Sequence, residues 1–351
     1  MNAITRVLPE KVGSVTSRLD LPPELKIVDN KPRAEIGDVV VVRALTESVT
    51  YGNIELPTGR LAKINAGDIL VGALGTRRAL KGFFGTIPAS IRAGDRLHLL
   101  NMGGVIGLCS GHHSSFSDAI ELEVVGLACA PDGSVINIGN GALAPAKDLN
   151  VSAPIIMIAG TCMNSGKTVA ATELIKQSAK SGLRVAGAKV SGIACLRDTL
   201  NMEDSGAFAT ANFLDCGLPS TVDHPDLASI AKAILNHLNS LSPDLIVVEL
   251  GDGIVGGYSV DDVLADSEIR KAISSFVFCA SDYVGVIGGT VVLEKFGIAI
   301  DVIAGSVTDS QMGEDYIRTQ LGLEAGNARR DGARLFGLCY QNVNSAVGAI
   351  A

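Results

Sequence analysis

The stretch Gly160-Thr161-Cys162-Met163-Asn164-Ser165-Gly166-Lys167-Thr168 holds the residues whose types and spacing carry the most chemistry. A glycine-containing turn that ends in Gly-Lys-Thr can cradle phosphate. Its backbone N–H groups and the following helix N-terminus face the anion, the lysine reaches the terminal phosphates, and the threonine hydroxyl can hold Mg²⁺. A turn works this way only between a strand and a helix. Ile155-Ile156-Met157-Ile158 reads as a buried strand before it, and Val169–Lys176 reads as a helix after it. The spacing is G-x5-G-K-T, because Thr161 stands where the commoner loop has its first glycine.

Other constellations carry less. Glu249 closes the apolar run Asp244-Leu245-Ile246-Val247-Val248-Glu249, and a carboxylate at a strand end is placed to hold Mg²⁺ directly or through water. Cys109-Ser110-Gly111-His112-His113 supplies three metal-ligating side chains where a zinc site wants four, so a polar loop is the better reading. Asn327-Ala328-Arg329-Arg330-Asp331 is not the guanine-reading N-K-x-D, which favours ATP over GTP.

The elements that must position these residues fall into two halves. In 35–140, Gly37-Asp38, Gly67-Asp68 and Gly94-Asp95 each stand directly before an apolar run, and further strands are predicted at Val105–Cys109, Ala119–Gly126 and Ser134–Ile138. Many short strands with tight turns predict a small Gly-rich β-barrel or β-sandwich. Residues 1–34, with Pro9, Pro22, Pro23 and Pro32, read as an extended arm, and 141–153 as a linker. From 154 to 351 strands and helices alternate. Strands are expected at Leu183–Val190, Asp244–Glu249, Phe276–Ala280, Ile298–Ala304 and Arg334–Cys339, and a helix over Asp226–Asn239. Alternation predicts an α/β domain with a doubly wound, mostly parallel sheet, whose ligands sit at the C-terminal ends of the strands. The loops at 160–168, 191–206 and 249–259 then converge.

Bulk properties bound the class. The 351 residues are 47% hydrophobic and 19% charged, a core-rich globular composition long enough for two domains. Net charge is 29 − 37 = −8 without a basic run, which argues against a nucleic-acid partner. No apolar signal core opens the sequence and no run reaches the ~20 apolar residues of a membrane span, so a soluble, cytoplasmic protein without a membrane partner is expected. Seven cysteines without C-x-x-C spacing read as reduced core thiols.

The motifs from 153 to 340 resemble dethiobiotin synthetase and its P-loop relatives. Gly160-Thr161 through Gly166-Lys167-Thr168 matches that family's G-T-x4-G-K-T. Ala188-Lys189-Val190-Ser191-Gly192 matches its second lysine, Val248-Glu249-Leu250-Gly251-Asp252-Gly253 its V-E-G-(A)-G-G segment, and Ser281–Ile287 its later loop. The chain departs from the family at Cys162, Val190 and Leu250-Gly251-Asp252, all on the substrate side. The resemblance implies ATP and Mg²⁺ as cofactors, and Gly160, Thr161, Cys162, Asn164, Ser165, Gly166, Lys167 and Thr168 as the nucleotide loop. It implies Lys167, Lys189 and Glu249 as catalytic residues. Thr168, Glu249 and Asp198 would hold the metal, with Asp204 as the second choice for the last, and the protein would be a homodimer. The implied activity is γ-phosphoryl transfer from ATP to a carboxylate or carbamate of a small-molecule substrate, as in a ligase or cyclase. Two rivals keep the loop: an NTPase switch for cofactor or metal insertion, and an N-acyltransferase that holds the pyrophosphate of coenzyme A.

Overall fold

A computed structural model describes residues 5–348. The chain forms two compact units. One runs to Leu143 and also takes in Ile193–Arg197 and Phe213–Val222; the other holds the remainder from Ala144.

In the first unit the Gly-Asp turns set the strands. Gly37, Gly67 and Gly94 have φ of 87°, 95° and 89°, a left-handed conformation that costs glycine no Cβ clash. The aspartate after each folds back, so that Asp38, Asp68 and Asp95 accept the backbone N–H of Glu35, Asn65 and Arg92 at 2.9, 2.6 and 2.9 Å. Each turn leads into a strand: β1 (Val39–Ala44), β2 (Ile69–Leu74) and β3 (Arg96–Asn101). Together with β4 (Val105–His112) and β5 (Glu121–Ala128) they close a ring. β5 pairs with β1, β1 with β2, β2 with β4, β4 with β3, and β3 returns to β5. The unit is therefore a barrel, filled by residues such as Val40, Val42, Leu70, Leu97 and Leu122.

Two expectations fail here. Beyond Met1–Ile4, which lie outside the described residues, the N-terminal segment is not an arm. Thr5–Val7 pairs with Leu25–Val28, Leu25–Val28 with β5, and Lys11–Val12 with β2, and Leu25, Ile27 and Val28 are buried. The prolines that suggested an arm fall outside these short pairings, where a missing N–H costs no ladder bond. Ser134–Ile138 forms only single bridges, Val135 to Cys129 and Asn137 to Asp38.

The barrel unit also seats its two distant segments. Glu55, 1% exposed, accepts from the Ser14 hydroxyl, from Leu196 N at 2.7 Å, from Arg197 N at 3.0 Å and from Cys195 Sγ at 3.1 Å. Asn101 Nδ2 donates to Ala194 O at 2.7 Å, and Ala194 N to Pro219 O at 2.9 Å.

The second unit is a six-stranded sheet of β6 (Ile155–Gly160), β7 (Val185–Ser191), β8 (Ala209–Asn212), β9 (Leu245–Leu250), β10 (Ile273–Cys279) and β11 (Val302–Ala304). Its order is β8-β7-β9-β6-β10-β11, every pairing parallel. The strands are almost wholly buried, as a parallel sheet requires. The helices used below are α1 (Lys167–Lys180), α2 (Arg197–Asp204), α3 (Leu227–Asn239) and α4 (Gly332–Gly348). Asp226 caps α3 by accepting from Ser229 N.

The strand expected over Arg334–Cys339 lies inside α4. Leu335, Cys339 and Val343 recur every fourth residue and are buried, one face of a helix that packs on α1 and β10. The expected linker is fastened as well: Ala146 N donates to Ser229 O at 3.0 Å, and Lys232 Nζ to Lys147 O at 3.1 Å.

Candidate functional site

The site assembles at the C-terminal ends of β6, β7 and β9, the central strands of the sheet. β6 ends at Gly160, where a Cβ would lie 2.6 Å from Ser165 Oγ and 2.7 Å from Cys279 O, so only glycine fits. Thr161 N donates to Cys279 O at 3.0 Å. The loop then turns through Asn164 at φ 64° and Gly166 at φ 105°, and α1 begins at Lys167. A Cβ on Gly166 would lie 2.8 Å from Gly305 Cα, so the loop after β11 packs flat against the phosphate loop.

Lys167 is 5% exposed, and its Nζ donates to Cys162 O at 2.7 Å across the loop. Burial lowers its pKa against the opposing pull of the Glu249 carboxylate. Thr168 Oγ1 donates to Glu249 Oε1 at 2.9 Å. Glu249 is 1% exposed and its pKa is raised by burial, which Lys189 opposes. Its Oε2 is buried and has no hydrogen-bond partner, and neither has Ser165 Oγ. Two orphaned oxygens at one loop fit a missing polar ligand.

Lys189, on β7, makes an ion pair with Asp198 of α2 and lies 3.7 Å from Glu249 Oε1. The structure thus brings Lys167, Thr168, Lys189, Asp198 and Glu249 into one cluster. Asp198 enters it through Lys189. Asp204, at the far end of α2, is exposed and outside it. The His112–Asp118 loop of the barrel unit is bound internally, with His112 Nε2 3.1 Å from Asp118 Oδ1. Among the described residues no group of three or more His, Cys, Asp or Glu could hold a metal.

Sequence reasoning missed one feature. A cavity of about 40 Å³ opens beside Asn164 and Gly166, walled by Gly305, Asp309 and Arg329. Asn327 builds its rim: Nδ2 donates to Thr308 Oγ1 at 3.0 Å and to Asp309 Oδ1 at 2.9 Å, while Oδ1 accepts from Arg329 N and Arg330 N. The segment after β9 meets the phosphate loop, as its place at a strand end predicts. Ile254 N donates to Gly160 O at 2.9 Å, which lays 251–254 along the start of the phosphate loop. Gly-Asp-Gly at a strand end was the available signal.

A glycine-turned loop joining a central parallel strand to a helix that starts with Lys-Thr defines a P-loop on an α/β sheet. No protein-family description and no curated protein matches the sequence. Among solved structures the chain is similar to chloroplast FtsY from Physcomitrella patens, at 14% identity over 54% of this chain and 62% of that one, with a TM-score of 0.37. It is similar to the signal recognition particle 54 kDa protein from Aeropyrum pernix K1 in complex with GDP, at 19% identity over 60% and 52%, with a TM-score of 0.36. It is also similar to an LAO/AO transport system kinase, at 13% identity over 57% and 62%, with a TM-score of 0.37. The matches span between 52% and 62% of those chains. At such scores they add nothing to the strand order and the loop, and they give no support to the dethiobiotin synthetase resemblance, which rests on motif spacing alone.

Proposed function

We propose that the second unit binds a nucleoside triphosphate, ATP, together with Mg²⁺, and transfers its γ-phosphoryl group. The observation that carries this reading is the Thr168–Glu249 pair: a hydroxyl in the first turn of α1 donates to a buried carboxylate whose other oxygen is unpartnered. The residues fit the cation. Thr168 Oγ1 and Glu249 are hard oxygen ligands, and Mg²⁺ on a phosphate substrate takes only one or two ligands from the protein. When bound, Mg²⁺ would neutralise charge on the β- and γ-phosphate oxygens. Lys167 would exchange the Cys162 carbonyl for phosphate oxygens, and Lys189 would meet charge that grows during transfer. The cavity beside Asn164 and Gly166 is smaller than a nucleoside and marks the side of the loop on which the nucleoside end would lie. Asn327 spends its amide on Thr308, Asp309 and the backbone of Arg329 and Arg330, in keeping with ATP over GTP.

Calorimetry with ATP, GTP, ADP and acetyl-CoA, with and without Mg²⁺, tests the reading. Mg²⁺-ATP should bind the wild type, Lys167→Ala should abolish binding in a folded protein, and Glu249→Gln should remove the Mg²⁺ dependence. Binding of acetyl-CoA alone would give the loop to a coenzyme A pyrophosphate and end the phosphoryl-transfer reading.

A further inference from the structure

We infer that Asp252 is a catalytic residue, the base that aligns a water molecule with the γ-phosphate and takes its proton, so that the site hydrolyses its nucleotide. This rests on the nucleotide reading above and names the acceptor. Asp252 follows β9 within Gly251-Asp252-Gly253 and holds the left-handed φ of 63°. A residue with a side chain takes that conformation at a cost that glycine avoids.

Both neighbours are pinned. A Cβ on Gly251 would lie 2.2 Å from Ser191 O, and one on Gly253 2.3 Å from Thr161 O. Ser191 Oγ donates to Gly251 O at 3.2 Å, and Ile254 N to Gly160 O at 2.9 Å. The segment is wedged between the end of β7, which carries Lys189, and the first turn of the phosphate loop. One side chain stands between two positions that only glycine can fill, and it is a half-buried carboxylate whose charge reaches Lys167. The small cavity opens on the Asn164–Gly166 side of the loop. Lys167 and Thr168 would hold the terminal phosphate, and the segment bearing Asp252 packs on the same loop at Thr161, against whose carbonyl Gly253 lies. Strain retained beside a phosphate cradle points to chemistry.

The acceptor follows from the proton. A carboxylate or carbamate attacks phosphorus without losing one, so a fixed base has no task there. Water does lose one. Its oxygen forms a bond to the γ-phosphorus, its proton passes to an Asp252 carboxylate oxygen, and the bond from the γ-phosphorus to the β–γ bridging oxygen breaks. The nucleoside diphosphate leaves with that electron pair, and inorganic phosphate is the second product.

The test uses the full chain with Asp252→Gly and Asp252→Asn, both of which tolerate a left-handed φ. Mg²⁺-ATP affinity is read by calorimetry, melting temperature by thermal scan and phosphate release in single turnover. We expect affinities within about threefold of wild type, a melting temperature for Asp252→Gly at or above wild type, and phosphate release slower by roughly 10²–10⁴-fold in both. Wild-type release rates in Asp252→Gly would overturn the inference, as would a loss of affinity together with melting temperature, which marks a structural role. A wild type that binds Mg²⁺-ATP and releases no phosphate overturns it while sparing the binding site. A wild type that binds no nucleotide overturns the earlier reading.

Discussion

Lys189 stands between two carboxylates, Asp198 and Glu249, and this gives it two measurable roles. Its removal would leave only the Lys167 ammonium to offset the enclosed Glu249, and a buried charge that loses a partner is costly. Lys189→Ala should therefore melt below wild type, and Mg²⁺ should raise the melting temperature of the variant more than that of the wild type. Equal Mg²⁺ shifts in thermal scans of the two proteins would place the cation away from Glu249. In turnover the same variant should keep ATP affinity and lose on the order of a hundredfold in rate. The choice between Asp198 and Asp204 was not legible in the sequence, because it depends on helix phase. Six residues along α2 turn the chain about 240° round the axis, and only Asp198 comes to Lys189. Asp252 was hidden for a different reason: Gly-Asp-Gly reads as an ordinary turn until the backbone atoms that would collide with a Cβ on either glycine are known.

At the level of elements, the clearest sequence signals were local ones. The three Gly-Asp turns announce β1, β2 and β3 because the aspartate's bond and the glycine's φ lie within four residues of each other. Asp68 accepts from Lys11 Nζ as well as from Asn65 N. Burial pushes its pKa up, but those hydrogen bonds outweigh it and the net shift is downward. A depressed folded-state pKa gives stability that is complete above the unfolded value and is lost as pH falls through the folded one. Asp68→Asn should thus cost about 1 kcal/mol near neutral pH, and its gap from wild type in urea unfolding should close below pH ~4. A gap that does not change with pH would refute the linkage. Helix α4 shows the opposite case. Leu335-Phe336-Gly337-Leu338 is a short apolar run that periodicity cannot assign, and only its partners α1 and β10 decide it. Leu335, fully buried, anchors that face, so Leu335→Ala should cost about 3 kcal/mol in chemical unfolding. A cost near zero would mean that α4 contributes little to the core.

Across the whole molecule, the division into two units is not a division of the sequence. Residues 193–197 and 213–222 leave the P-loop half and belong to the barrel unit. No composition shift marks them, since their places depend on single partners far along the chain. Glu55 is the chief of these. Glu55→Ala would remove the acceptor that the Ser14 hydroxyl and the Leu196 and Arg197 N–H groups share, and should lower stability by about 3 kcal/mol. An unchanged urea midpoint would show that the segment is held by other contacts. The same bond bears on how the protein is born. Arg197 lies 142 positions after Glu55, so a ribosome has already made the barrel strands long before it makes the donors that answer this carboxylate. The part synthesised first is therefore completed late, since the buried Glu55 carboxylate meets Leu196 and Arg197 only after they leave the ribosome. Long-range closure of this kind is slow and leaves incomplete surfaces exposed to aggregation. Timing during translation becomes part of what this sequence has to encode.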